Sequence, residues 1–168
     1  MQEIHVPNDA ELAGEVAVLA SMLTRLGWTL SAAESCTGGW IAKCCTDRAG
    51  SSEWFERGFV TYSNDAKHDM LGADEIVLEK AGAVSREAAL QMAGGAQSRA
   101  GTDVAVAVTG IAGPDGGSTD KPVGSVWFAW SIKGSVDAEL KQFRGDREAV
   151  RRHTVSHALQ GLIDRLPA

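Results

Sequence analysis

Residues 104–108 read Val-Ala-Val-Ala-Val, and Thr109 leads from them into GIAGPDGGSTDKPVG, a segment with five glycines and two prolines. Valine alternating with alanine reads as a strand. One built from such small apolar residues belongs inside a sheet, with strands beside it and helices over it. The segment that follows, residues 110–124, is too rich in special backbone residues for a plain connection. It also begins where open α/β sheets form ligand crevices, beyond the C-terminal end of an inner strand.

The rest of the chain supplies the neighbours. Asn8 before Asp9-Ala10-Glu11, with Leu12, Val16, Leu19, Leu23 and Leu26 spaced by four and three before Gly27, predicts a capped amphipathic helix. Residues 28–34 read as a strand, and Ser35-Cys36-Thr37-Gly38-Gly39 as a tight turn into a helix carrying Trp40, Ile41, Cys44 and Cys45. A second strand is predicted over 55–62, with Gly58 marking a bulge or a close backbone approach. Asn64 starts a short helix, and Ser85 caps a longer one ending near residue 100. Residues 123–132 and 136–143 pair as a hairpin across Lys133-Gly134-Ser135, and Asp146 caps a last helix. The order α, β, α, β, α, α, β, β, β, α predicts one α/β domain over residues 1–168. Its mixed β-sheet is covered by helices on both faces, a three-layer α/β/α arrangement.

Composition narrows the partner. Acidic residues outnumber Lys plus Arg by 22 to 16, whereas sequence-independent duplex binding relies on Lys and Arg displacing counterions. A small molecule is therefore expected rather than nucleic acid. No apolar run approaches the ~18 residues of a membrane span, and residues 1–10 lack the parts of a secretory signal. Cys36, Cys44 and Cys45 are odd in number and form no CxxC pair. Reduced thiols in the cytoplasm are expected.

Four places can carry chemistry. Ser35 ends a strand, and Thr37, Gly38 and Gly39 bring backbone N–H groups to a helix start, which can hold an anion or an oxyanion. Plain helix capping by Ser35 or Thr37 is the commoner use of such residues. With Asn64 as N-cap, Lys67 falls in a first helical turn, where the dipole opposes an ammonium and favours a base; a solvated lysine is the ordinary alternative. Tyr62, the only tyrosine, reads as a core residue with its hydroxyl at the rim. Thr109 ends the inner strand, and Ile111 and Pro114 make the loop beyond it look like a structured lining.

The fourth place is the last helix. Val155, Leu159, Leu162 and Leu166 form its buried stripe, with Arg151 near it and Arg147 one turn earlier. A first-turn arginine is unfavourable without an anion, so Arg147, with Arg144 upstream, is a candidate phosphate or carboxylate clamp. Pairing with Asp146 or Glu148 is the equal alternative. His153 and His157 have the i, i+4 spacing of metal ligands, but no HExxH pattern or further ligand accompanies them. They are expected to be exposed, and no metal is expected. Trp127, Phe128 and Trp130 read as core. A Gly94-Gly95 pair permits close helix packing, inside the domain or in a homo-oligomer.

Taken together, AESCTGGWIAK (33–43), GFVTYSNDAK (58–67), GAVS (82–85), TGIAGPDGG (109–117), KPVGSVWFA (121–129) and GDREAVRR (145–152) resemble the CinA C-terminal domain family. Within it the likeness is to stand-alone nicotinamide-nucleotide amidohydrolases of the PncC type. Two departures are visible: Ala49-Gly50-Ser51-Ser52 where many members have Pro-Gly-Ser-Ser, and Arg57-Gly58 in place of Gly-Gly. The resemblance implies hydrolysis of nicotinamide mononucleotide to nicotinate mononucleotide and ammonia in pyridine-nucleotide salvage, without a cofactor. The pyrophosphatase-type domain of larger members, and its activity, are expected to be absent. By the same resemblance Ser35 is the nucleophile, Lys67 its base, and Tyr62 or Thr109 orients them. Thr37, Gly38 and Gly39, and Gly110, Ile111, Ala112 and Gly113, share the oxyanion and the ribose phosphate with Arg144 or Arg147. Which loop does which is left open. The alternative is a non-catalytic nucleotide-binding or competence-associated protein using the same pocket.

Overall fold

Asn8 and Glu11 start the first helix by a reciprocal cap. Asn8 accepts from the Glu11 amide at 2.9 Å, and Glu11 accepts from the Asn8 amide at 2.8 Å. The computed structural model describes residues 2–168. Its elements are α1 (Asp9–Leu26), β1 (Leu30–Glu34), α2 (Trp40–Asp47), a 3₁₀ turn (Ser51–Glu53), β2 (Phe55–Val60), α3 (Asn64–Leu71), α4 (Glu75–Ala81), α5 (Arg86–Ala100), β3 (Val104–Gly110), β4 (Ser125–Ile132), β5 (Ser135–Gln142) and α6 (Arg147–Arg165).

The sheet order is β2-β1-β3-β4-β5. β1 runs parallel to β2 and β3, while β4 and β5 are antiparallel additions. The Val-Ala strand is central, as its composition predicts, and its two kinds of residue face different layers. Val104, Val106 and Val108 pack with Leu12, Leu19 and Leu23 of α1, Ile41 of α2, and Val155 and Leu159 of α6. Ala105 and Ala107 meet Ala89, Met92, Ala93 and Ala96 of α5. Alanine on both partners lets α5 lie close to the sheet.

Four glycine-dependent or local details differ from, or complete, the sequence reading. The hairpin turn has two residues, Lys133-Gly134, with φ of 50° and 87°, the twist that suits right-handed strands; Ser135 therefore pairs with Ile132. Helix α4, capped by Asp74 on the Ile76 amide, is an element the predicted order lacks. Gly95 serves an internal contact, since a Cβ there would lie 2.0 Å from the Leu71 carbonyl oxygen. At Gly161 a Cβ would lie 2.2 Å from the Trp130 ring, whose Nε1 donates to the Ala158 carbonyl.

The histidines of α6 are not the exposed residues expected. His153 stacks on Phe143 with centroids 5.3 Å apart, and His157 packs edge-on against Phe128 at 4.6 Å. Burial lowers the pKa of both. Phe128 and Trp130 are wholly buried, as read. All three cysteines are free and buried. Among the described residues no helix is long and apolar enough to cross a membrane.

Candidate active site

The parallel strands β1, β2 and β3 all end at one edge, and that edge carries the site. Ser35 follows β1 directly, its amide held by the Val108 carbonyl of β3 at 3.1 Å. β2 ends at Val60, short of the predicted 62: the Thr61 amide makes the last ladder bond, to the Glu34 carbonyl, and Ser63 then caps α3, accepting from the Ala66 amide. The cap is thus Ser63, not Asn64, which sets Lys67 one residue deeper and lets its own amide bond the Ser63 carbonyl.

Lys67 is 1% exposed. Its Nζ donates to Ser35 Oγ at 3.0 Å, to the Thr61 carbonyl at 2.8 Å and to the Tyr62 carbonyl at 3.3 Å. None of these acceptors is a carboxylate, so no counter-charge offsets the cost of burying an ammonium. Burial lowers its pKa from 10.5 to about 8. The direction agrees with the sequence reading, but the cause is desolvation and not the helix dipole. A neutral amine uses two N–H bonds and one lone pair; with the two carbonyls taking the N–H groups, the lone pair is left for the Ser35 hydroxyl. Cys36, the neighbouring thiol, is pushed up to about 12 by burial, so it stays protonated at neutral pH.

This pair opens into a cleft of about 180 Å³ lined by Ser35, Cys36, Tyr62, Lys67, Ala83, Val84, Thr109, Gly110, Ala112 and Arg147. Thr109, buried, donates to the Ala83 carbonyl at 2.8 Å and so fixes the opposite wall. Arg147 donates to the Gly113 carbonyl at 2.7 Å and to the Tyr62 hydroxyl at 3.3 Å, with no bond to Asp146 or Glu148. Tyr62 is 63% exposed, a rim residue and not a core one. Ile111 is bound through its backbone to Ser125 and Gly124. Arg144 is exposed and does not line the cleft.

The turn after Ser35 is built differently from a capped anion site. Neither Ser35 nor Thr37 caps α2. Glu34, wholly buried, reaches over the turn and accepts from the Ile41 amide at 2.8 Å, the Ala42 amide at 3.1 Å and the Thr37 hydroxyl at 2.6 Å. The helix start is therefore occupied from within the chain. Gly38 (φ 60°) and Gly39 (φ 104°) shape the turn, and the Gly38 amide closes it on the Ser35 carbonyl at 3.0 Å. Thr37, Gly38 and Gly39 line an adjoining shallow cleft with Trp40 and Arg151 instead of the Ser35 cleft. Among the described residues, the Cys36 and Thr37 amides donate to no backbone carbonyl.

The sequence reading did not single out Glu34 or Thr61. Glu34 had a signal, as the one charge ending the otherwise apolar and hydroxylic LSAAE strand. Glu34→Ala strands two amides and a hydroxyl in the interior, so it is expected to destabilise the domain by about 2–4 kcal/mol, read as a lower urea midpoint at unchanged slope.

Comparison with known proteins identifies the family. Residues 13–166 match the CinA C-terminal domain model. The chain is 57% identical over 143 residues to "Nicotinamide-nucleotide amidohydrolase PncC" of Enterobacter agglomerans, covering 84% of this chain and 87% of that one. It is 52% identical over 156 residues to the protein of the same name from Escherichia coli K12, covering 92% and 94%. The crystal structure of the competence/damage inducible protein CihA from Agrobacterium tumefaciens superposes with a TM-score of 0.89 at 47% identity, over 96% of this chain and 98% of that one. A family match over nearly the whole chain, with relatives above half identity and the same fold, means that the chain belongs to the CinA C-terminal domain family.

Proposed function

We propose that this protein is a nicotinamide-nucleotide amidohydrolase that uses Ser35 as nucleophile and Lys67 as its base. The observation that carries the reading is the 3.0 Å contact between Ser35 Oγ and a lysine whose pKa is lowered to about 8 by burial. A serine hydroxyl needs such a base, and a site that only bound a nucleotide would gain nothing from it. The curated relatives carry the matching name over almost their full length.

On this reading Ser35 Oγ bonds to the carboxamide carbon while its proton passes to Lys67 Nζ. The carbonyl electrons move to oxygen, and the amide of Cys36, the residue that lines the cleft next to Ser35, stabilises that oxyanion. Collapse breaks the C–N bond, Lys67 returns the proton to the departing nitrogen, and ammonia leaves an acyl-serine. Water then attacks the acyl carbon with Lys67 again as base; the C–Oγ bond breaks, Lys67 returns the proton to Ser35 Oγ, and nicotinate mononucleotide leaves. Gly110, Ala112 and Arg147 form the wall that receives the ribose phosphate, because the helix start beyond Gly39 is already filled by Glu34. Tyr62 steadies Arg147, and Thr109 steadies the Ala83 wall. Residues 1–168 act as one catalytic unit in this scheme, and the free, buried cysteines suit a reducing cytoplasm.

The test is ammonia release by purified protein, without added metal, from nicotinamide mononucleotide and from free nicotinamide. Turnover of the nucleotide and none of the free base is expected. Failure on both, with the nucleotide still bound, would replace the enzyme by the nucleotide-binding reading.

A further inference from the structure

Arg151 sits four residues after Arg147 on α6 and carries out the corresponding task on the other side of the nucleophile. Its Nε donates to the Cys36 carbonyl and its Nη2 to the Thr37 carbonyl, each at 3.1 Å. One guanidinium thus spans two consecutive carbonyls of the turn that starts at Ser35. Its Cζ lies over the Trp40 ring, 5.1 Å from the centroid, and a Cβ on Gly38 would lie 3.6 Å from Nη2. The side chain is held by the helix, the ring and the turn together.

We infer that Arg151 is a positioning residue for catalysis: it fixes the Ser35–Gly38 turn, and with it the Ser35 nucleophile and the Cys36 wall of the cleft. The inference rests on the proposed amide hydrolysis. In a trans peptide the C=O of one residue and the N–H of the next point in opposite directions. With the Cys36 and Thr37 carbonyls both fastened to Arg151, the Thr37 and Gly38 N–H groups must both point away from it. The Gly38 amide uses that direction to close on the Ser35 carbonyl, so the guanidinium and the closing bond hold the turn from its two sides. A cation on the two carbonyls also polarises those peptide units and makes their N–H groups stronger donors. Arg152 provides an internal control. It too lies over Trp40, at 4.9 Å, but bonds Asp9, Glu148 and the Pro7 carbonyl and makes no hydrogen bond to the turn.

The experiment compares wild type with Arg151→Gln, Arg151→Lys and Arg152→Gln. Each is followed by ammonia release from the mononucleotide and its riboside, and by the rate at which a fluorophosphonate modifies Ser35, read by mass spectrometry. Arg151→Gln is expected to lower kcat by about 10- to 100-fold on both substrates, the usual consequence of a displaced reacting group. KM should stay within about twofold, and Ser35 phosphonylation should slow in step. Arg151→Lys, with a single point charge for two carbonyls, should recover only part of the loss, and added guanidinium ion should restore part of the Arg151→Gln rate. Arg152→Gln should keep wild-type kcat. A KM increase confined to the mononucleotide would make Arg151 a phosphate ligand and overturn the inference. So would wild-type kcat and phosphonylation in folded Arg151→Gln, or an equal loss in Arg152→Gln. If wild type itself neither turns over nor reacts with the probe, the hydrolase reading fails and this inference with it. Wild-type turnover with an unaffected Arg151→Gln sinks the inference alone.

Discussion

Ser35→Ala is expected to lower ammonia release from nicotinamide mononucleotide by about 10⁴-fold or more, with the fold intact. The variant deletes one hydroxyl from a nearly buried side chain whose polar contact is Lys67, so little packing is lost. The Ser35 amide keeps its bond to the Val108 carbonyl, and the Ser35 carbonyl keeps the Gly38 amide. No neighbour can replace the nucleophile, because the Cys36 thiol is held protonated by a pKa near 12. Single-turnover ammonia release, beside a thermal midpoint within a few degrees of wild type, checks both halves. A folded Ser35→Ala protein that works at the wild-type rate would remove Ser35 from the mechanism. Combining it with Lys67→Met should cost no more than the worse single change, since a base has no task once its hydroxyl has gone.

The fold was legible where residue type alone decided the outcome. Alternating Val and Ala could only be an inner strand, and Asn8 with Glu11 could only begin a helix that ends at Gly27. Ser35, Lys67, Thr109 and Arg147 meet in one cleft although they lie on four separate elements, and the sequence singled out each of them by its place at a strand end or helix start. What the sequence did not disclose depends on long-range geometry. Glu34 hides the N-terminus of α2 by folding back over a glycine turn, a contact set by the turn's shape and not by spacing. The role of Arg151 needs the distance between α6 and β1, which no local pattern encodes. His153 and His157 were misread as exposed because the buried stripe of α6 is wider than four apolar residues suggest: Phe128, Trp130 and Phe143 extend the core sideways until it takes in the imidazoles. Lys67 was found for an incomplete reason, as the helix position drew attention to it but burial sets its chemistry.

That difference of cause has a measurable consequence. A lysine poised by a helix dipole would stay exposed to solvent and lose its shift in salt, whereas one poised by burial is screened much less. With Lys67 as base, kcat/KM should rise tenfold per pH unit below about 8 and level off above it. At pH 7 roughly a tenth of the enzyme then carries the neutral amine. Raising salt should leave the midpoint of that rise in place. Lys67→Met should lower the plateau by about 10²- to 10⁴-fold and abolish the rise. Lys67→Arg should fail equally, since a guanidinium cannot accept the serine proton. Stability should change with pH in the same direction. The folded-state pKa lies below the ordinary lysine value, so the unfolded chain binds more protons between about pH 8 and 10.5, and Lys67 adds stability as pH climbs through that window. The wild-type urea midpoint should therefore fall less between pH 8 and 10 than that of Lys67→Met, in which this gain is absent. A pH–rate profile flat from 6 to 9, or one whose midpoint follows ionic strength, would show that the proton leaves Ser35 by another route.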